Sequence, residues 1–594
     1  MKFLKTFLAS LLAFVVGGLV VFFLSMIILM GVIGSITSKE QVVIGNHAIL
    51  KIDMAEDITD SPSTTPFGNI DLATMTVTYQ ISLMNALRAI ETAKEDPRIQ
   101  GIYLRMNGSG VTSLSILEEL REALVDFRTS GKFVLAYNEV YGQSGYYLAT
   151  AADGIYLEPN GSLQWTGIAS TLMFYKGLFD KLDIQTEIFR PTACKYKSAV
   201  EPYFLNKMSE ENRRQMQQIV DSYWSVVVDA VSSSRGIAPE ELNRLADEWE
   251  VSLADEAREK GFVDGLIFED EMDDIFRNYG AVPDVNGQFE FVTLGEYASM
   301  LTANMKNLSA PQVAVVYADG AIVDGEGYGK EIYGNSLASL LAEVRKDDQV
   351  KAVVLRVNSP GGSALASDVI WREMELLKAQ KPVVVSMGSY AASGGYYISC
   401  GADVIVADKT TLTGSIGVFG MFMRMEEALK NKLGITFDAV RTNTSADAGV
   451  MRPLTARERA AIMRGVDKVY ETFTSYVAEG RNLPLEKVLD IAQGRVWSGT
   501  AAVENGLVDA NGGLKSAIAI AADKAGLGTN YRVVEKLEMP TGIETFFSGF
   551  FAKVKADIAA EELGPFAGQW QKIREVIRQQ GIVMYCPYGA AMAE

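Results

Sequence analysis

The chain carries one pattern twice. "DPRIQGIYLRMNGSG" starting at Asp96 resembles "DDQVKAVVLRVNSPGG" starting at Asp347, 251 residues later. "SGYYLATAADGIYLEPNGSLQWTGI" from Ser144 resembles "GGYYISCGADVIVADKTTLTGSIGV" from Gly394, 250 residues later. "IQTEIFR" from Ile184 resembles "ITFDAVR" from Ile435, again 251 residues later. Three blocks at one offset predict a duplicated domain, because self-similarity at a fixed spacing marks a repeated structural unit. A chain of 594 residues is in any case too long for a single core. The expected units are 39–300 and 301–536, preceded by an N-terminal segment, 1–38, and followed by a tail, 537–594.

Each copy reads as strands alternating with helices. A helix with apolar residues at helical spacing ("SLMNALRAIETAKED", "SLASLLAEVRKDD") leads into a short apolar strand ("QGIYLRM", "KAVVLRV"). A Gly-rich loop, a helix, a second strand ("KFVLAY", "KPVVVSM"), a turn, a helix and a third strand follow. This order predicts an α/β fold with a largely parallel sheet in each copy. A long polar helix then closes each set, Ser209 to Ser234 and Thr455 to Gly480. "SPSTTPFG" (Ser61 to Gly68) reads as a loop. In the tail, "IETFFSGFFAKVKADI" and "AGQWQKIREVIRQQGI" read as amphipathic helices, and "GIVMYCPYGAAMAE" has no assignment.

Phe7 to Ile36 contains no charged residue, and about 20 apolar residues span a bilayer. Lys2 and Lys5 precede this run, while Lys39 is followed at once by Glu40. The expectation is a single-span anchor with a cytoplasmic N-terminus and an extracytoplasmic body at the inner (plasma) membrane. A cleaved signal peptide fits less well, since the run is too long and lacks a small-x-small site. The net charge of −19 excludes nucleic acid as the expected partner. Cys194, Cys400 and Cys586 form no CxxC, and with one histidine, His47, no metal site is expected.

The two copies differ where chemistry would sit. Aligned on the Gly-Tyr-Tyr of each turn, Ser393 in "SYAASGGYYISC" falls on Gln143. Aligned on Arg190 and Arg441, Lys197 in "YKSAVEP" falls on Ala448. One copy keeps a hydroxyl and the other an amine, so each holds half of a candidate site. A neutral lysine amine can activate a serine. Free lysine titrates near 10.4, so the amine must be desolvated to act near neutrality. Lys195 is a close rival: in an extended segment it points the same way as Lys197, and spacing alone does not separate them. Ser415 in "LTGSIGV", matched by Trp165 in the first copy, is a candidate to orient the lysine. "NSPGGS" (Asn358 to Ser363) offers backbone N–H groups at Gly361 and Gly362, and Gly394 offers another. Such donors are worth about 3–4 kcal/mol each to a developing oxyanion. Ser389 and Ser399 read as structural.

"VNSPGGS", "SYAASGGYYIS" and "LTGSIGV", with "YKSAVEP" in the preceding copy, resemble the long, two-repeat form of the signal peptide peptidase A family. The resemblance covers nearly the whole chain after the apolar run. It implies tandem ClpP/crotonase-like domains and a membrane-anchored serine endopeptidase acting by a Ser/Lys dyad through an acyl-enzyme. It makes Ser393 the nucleophile, Lys197 the base, Ser415 the orienting hydroxyl, and Gly361 and Gly394 the oxyanion donors. It further implies signal peptides and other hydrophobic peptides as substrates, a homotetramer, and no cofactor. Two other readings use the same fold: an acyl-CoA enzyme, disfavoured by placement outside the cytoplasm, and an inert peptide-binding scaffold. Whether Ser393 and Lys197 would pair within one chain or between chains is left open by the sequence.

Overall fold

A computed structural model describes residues 17–18, 44–538 (apart from 55, 63–68, 72–75, 79, 107–112, 304–308 and 450) and 581–586. The apolar run of residues 7–36 apart from 17–18, the loop at 63–68, the first copy's Gly-rich loop at 107–112 and the amphipathic segments of the tail lie outside the described residues. Among those described, no helix is long and apolar enough to cross a membrane.

Two sheets follow the duplication. The first has the strand order Gly265–Leu266, Gly154–Leu163, Phe133–Tyr141, Ile99–Arg105, Ala48–Asp53, Glu290–Thr293, all parallel. The second has the order Val496–Ser498, Leu412–Gly414, Val383–Ala392, Val350–Ser359, Gln312–Asp319, Arg532–Lys536. It is parallel except where Val496–Ser498 meets Leu412–Gly414. Val404–Ala407 also pairs with Val383–Ala392. The central strands are largely apolar because helices cover both faces of such a sheet. Ile102, Leu104, Val134 and Ala136 are fully buried in the first sheet, and Val353, Leu355, Val383 and Val385 in the second.

The helices start where side chains can satisfy their first N–H groups. Ser113 and Ser363 cap the equivalent helices Leu114–Arg128 and Ala364–Lys378. Ser209 caps Glu210–Arg235, which ends on Gly236 in the left-handed region. Thr455 and Glu458 form a reciprocal capping box at the start of Ala456–Gly480.

A third sheet joins the copies. Its order is Glu331–Tyr333, Ala321–Val323, Gly361–Ser363, Gly581–Tyr585, Phe419–Arg424, Gln185–Phe189. Gln185–Phe189 of the first copy pairs antiparallel with Phe419–Arg424 of the second. The stretch just after Gln185–Phe189 carries Lys197, so this pairing delivers the first copy's amine to the second copy.

Candidate active site

The segment bearing the two lysines is a series of turns and not a strand. Cys194 N–H bonds Pro191 O (2.9 Å), Lys195 N–H bonds Ala193 O (2.9 Å) and Lys197 N–H bonds Cys194 O (3.2 Å). The condition under which Lys195 and Lys197 would point the same way is therefore not met: Lys195 is exposed and Lys197 is 1% exposed. The second copy clamps the turn. Tyr196 N–H donates to Gln493 O (3.0 Å), and Gln215 bridges Tyr196 O (3.1 Å) and Val496 N–H (3.3 Å). The Arg495 guanidinium lies over both Tyr196 and Trp497, 5.1 and 4.0 Å from the ring centres. Gly494, at φ +75°, has no room for a side chain: a Cβ there would fall 2.5 Å from Lys197 Cβ. Sequence reasoning missed this clamp, because Gln493–Trp497 bears no group that a search for reactive chemistry selects.

Ser393 sits between strand Val383–Ala392 and helix Gly394–Ser399 at φ 58°, ψ −112°. A non-glycine residue there stores backbone strain. The conformation is held by Ser393 N–H on Gly414 O (2.8 Å) and by Tyr397 N–H on Ser393 O (2.9 Å). The neighbouring serines are engaged elsewhere. Ser399 Oγ donates to Gly395 O (2.7 Å), and Ser389 joins Ser113 and Ser115 of the first copy.

Three of the singled-out side chains converge within one chain. Lys197 Nζ lies 2.6 Å from Ser393 Oγ, 2.9 Å from Ser415 Oγ and 3.0 Å from Ser415 O. All three residues are buried. Ser415, also at positive φ (50°), is fixed by its N–H on Arg495 O (2.7 Å). Burial pushes the Lys197 amine down from 10.5 to about 8, against smaller upward effects from Cys586 and Cys194. Among the described residues no carboxylate pairs with it, so desolvation of the cation is offset only by those smaller effects. A neutral amine has two N–H groups and one lone pair. The contacts match that inventory: two N–H donors for Ser415 Oγ and O, and a lone pair for the Ser393 hydroxyl proton.

The backbone donors are less symmetrical than the sequence suggested. Gly394 is the first residue of its helix, so its N–H has no partner within that helix. Gly361 N–H instead donates to Ser359 Oγ (3.2 Å). The two glycines do abut. At φ +94°, a Cβ on Gly361 would lie 2.5 Å from Gly394 N and 2.1 Å from Met584 O.

Comparison with known proteins agrees with this architecture. The model of peptidase family S49 matches residues 126–278 and 375–528, once in each copy. The Clp protease family model matches residues 309–407. Protease 4 of Haemophilus influenzae is 37% identical over 452 residues, 74% of this chain and 73% of that protein. Protease 4 of Salmonella typhi is 35% identical over 512 residues, 83% of this chain and 81% of that protein. The Arabidopsis thaliana protein "Serine protease SPPA, chloroplastic" is 32% identical over 471 residues, 78% and 69% of the two chains. The chain belongs to peptidase family S49, as a serine protease built from two copies of the family's domain.

Proposed function

We propose that Ser393 is the nucleophile and Lys197 the general base of an endopeptidase that cleaves remnant signal peptides and other hydrophobic peptides at the membrane. The observation that carries this reading is the 2.6 Å contact between Lys197 Nζ and Ser393 Oγ, made by an amine whose charge is disfavoured by burial. Ser393 Oγ adds to the scissile carbonyl as its proton passes to Nζ. The oxyanion gathers at Gly394 N–H, and Gly361 N–H joins it by exchanging its bond to Ser359 Oγ. Collapse of the adduct breaks the C–N bond, and the lysine returns the proton to the leaving amine. Water then attacks the acyl-enzyme, giving its proton to Nζ; the acyl C–O bond breaks as Nζ returns that proton to Ser393 Oγ, which restores the neutral amine and the hydroxyl. Ser415 holds the amine in line throughout. An anchor at residues 7–36 and assembly as a homotetramer belong to the same proposal.

The test is covalent. A fluorophosphonate should label Ser393 in the native chain and fail to label Ser393→Ala or Lys197→Ala. Full peptidase activity in Ser393→Ala would sink the assignment. Because the neutral amine is the active form, kcat/KM should rise with pH through about 8. A profile flat from about pH 6 to 9 would exclude a lysine base.

A further inference from the structure

A segment near the C-terminus, "GIVMYC" (Gly581 to Cys586), lies against the proposed site. Gly581–Tyr585 inserts between Gly361–Ser363 and Phe419–Arg424, antiparallel to both. On one side Gly361, Gly362 and Ser363 face Tyr585, Met584 and Val583. On the other, Phe419 faces Val583. Cys586 N–H then donates to Pro360 O (2.7 Å). The segment thus runs along the Pro-Gly-Gly loop toward the point where Gly361 abuts Gly394.

Its side chains fill pockets drawn from both copies. Val583 packs with Ala199, Val200 and Tyr203 of the first copy and with Phe419 and Met421 of the second. Met584 is fully buried. Cys586, 2% exposed, packs with Met216, Ile219 and Tyr223 of the first copy and with Ala392, Leu412 and Val496 of the second. Ala392 is the residue before Ser393, and Cys586 is close enough to act electrostatically on Lys197.

A peptide whose carbonyl is to reach Ser393 and Gly394 N–H needs edges for its own backbone to pair with. Adding a strand to existing edges is a general mode of peptide capture, with main-chain bonds giving affinity and alternate pockets giving selectivity. The edges beside Ser393 are those of Gly361–Ser363 and Phe419–Arg424, and the slot between them is one strand wide. We infer that Gly581–Cys586 occupies the place of a peptide substrate, so that the C-terminal segment is an intramolecular competitor of the peptides this enzyme cleaves. The substrate class follows from the occupant: an extended, apolar peptide with a small side chain in the pocket of Cys586. The next residue is Pro587, whose ring restricts the residue before it and whose nitrogen carries no hydrogen, as suits an occupant that is held and not turned over. The inference rests on the Ser393/Lys197 reading.

The experiment uses the full chain with Cys586→Arg, too large and charged for a buried pocket, and separately Met584→Pro, which removes a strand N–H. Fluorophosphonate labelling of Ser393 and steady-state cleavage of a short apolar peptide are measured beside thermal melting. Both variants should label about tenfold faster or more, and show a KM lower by a similar factor with kcat little changed, since a tethered competitor acts at high effective concentration. The synthetic peptide GIVMYC should competitively slow labelling of the Cys586→Arg chain. Native labelling rates in both variants, or slower labelling with a lower melting point, overturn the inference and leave the serine assignment standing. Labelling that persists when Ser393→Ala is added to Cys586→Arg overturns the serine assignment and this inference with it.

Discussion

The turn after the strand Phe133–Tyr141 is relaxed, and the equivalent turn after Val383–Ala392 is strained. In the first copy Gln143 is already helical, and Gly142 before it has an ordinary φ of −74°. Gln143 Oε1 accepts from Thr166 N–H and Gly167 N–H, both at 2.7 Å, and Nε2 donates to Gly167 O at 2.8 Å. The carboxamide ties the turn to the loop that, in the second copy, holds Ile416 and Gly417. Ser393 makes no such tie. Its Oγ faces Gly417 O at only 3.5 Å, and its backbone takes the strained conformation that aims the hydroxyl at Lys197. Where Ser415 stands in the second copy, Trp165 fills the first, fully buried, donating to Leu242 O (2.8 Å) and packed on Tyr146, Trp224 and Phe262. One copy fills the space with packed aromatic side chains, and the other leaves it to the proposed dyad. If the second turn is the reactive one proposed above, its cost is local: backbone strain, a lost side-chain tether and a desolvated amine.

The largest contrast lies in a pair of equivalent arginines. Arg356 is wholly buried and meets Asp60 (2.5 Å) and Glu119 (2.8 Å), both supplied from before the second copy. Its counterpart Arg105 is also buried, but its partners Glu139 and Glu269 are about half exposed. Arg356→Met strands two buried carboxylates and should lower stability by about 3–5 kcal/mol. Arg105→Met leaves carboxylates that water can solvate, and should cost about 1 kcal/mol. Urea unfolding of the two variants checks this; equal costs would mean that Arg356 does not join the copies.

Next comes the amine. With its folded value near 8 against 10.5, Lys197 binds its proton less tightly in the native state. Below about pH 8 the buried cation costs on the order of 3 kcal/mol. Between about 8 and 10.5 the unfolded chain holds more protons, so native stability rises with pH. Lys197→Met should therefore be inactive yet more stable at pH 7, with the gap closing toward pH 10. The same kind of exchange at the matched, exposed Ala448, as Ala448→Lys, should change neither stability nor its pH dependence. Urea midpoints at the two pH values decide it.

Much of this was legible because duplication supplies its own control. The α/β repeats, the Ser393/Gln143 and Lys197/Ala448 differences, and the Ser415/Trp165 exchange are all differences between residue types at one offset. Contacts made by backbone were not legible. The choice of Lys197 over Lys195 depends on turns at Pro191–Lys197 that no side-chain pattern announces. The bond from Gly361 N–H to Ser359 Oγ, the clamp from Gln493 to Trp497, and the tail strand Gly581–Tyr585 likewise arise from tertiary pairing. A strand of five residues with no alternating pattern of its own is stabilised by the edges it meets, and those edges lie far away in sequence.

Smaller effects test the turns themselves. Gln143→Ala removes three hydrogen bonds at a half-buried position and should lower stability by about 1–2 kcal/mol without slowing the labelling of Ser393. A loss of labelling would mean that the first copy's turn supports the site directly.

The finest test is a reversal of sign. Ser393 occupies φ 58°, ψ −112°, where a Cβ is crowded and glycine is not. Ser393→Gly and Ser393→Ala both lack the hydroxyl and should both be inactive, so activity cannot confuse the comparison. Relief of strain favours the glycine, while the greater freedom of glycine in the unfolded chain opposes it. The net should leave Ser393→Gly more stable than Ser393→Ala by about 1 kcal/mol. At the relaxed turn only the second effect operates, because Gln143 has helical geometry. Gln143→Gly should then be less stable than Gln143→Ala by about 0.5–1 kcal/mol. Opposite signs at two positions that the duplication made equivalent would locate the strain in the reactive turn alone; the same sign at both would show that the backbone at Ser393 is not strained in solution.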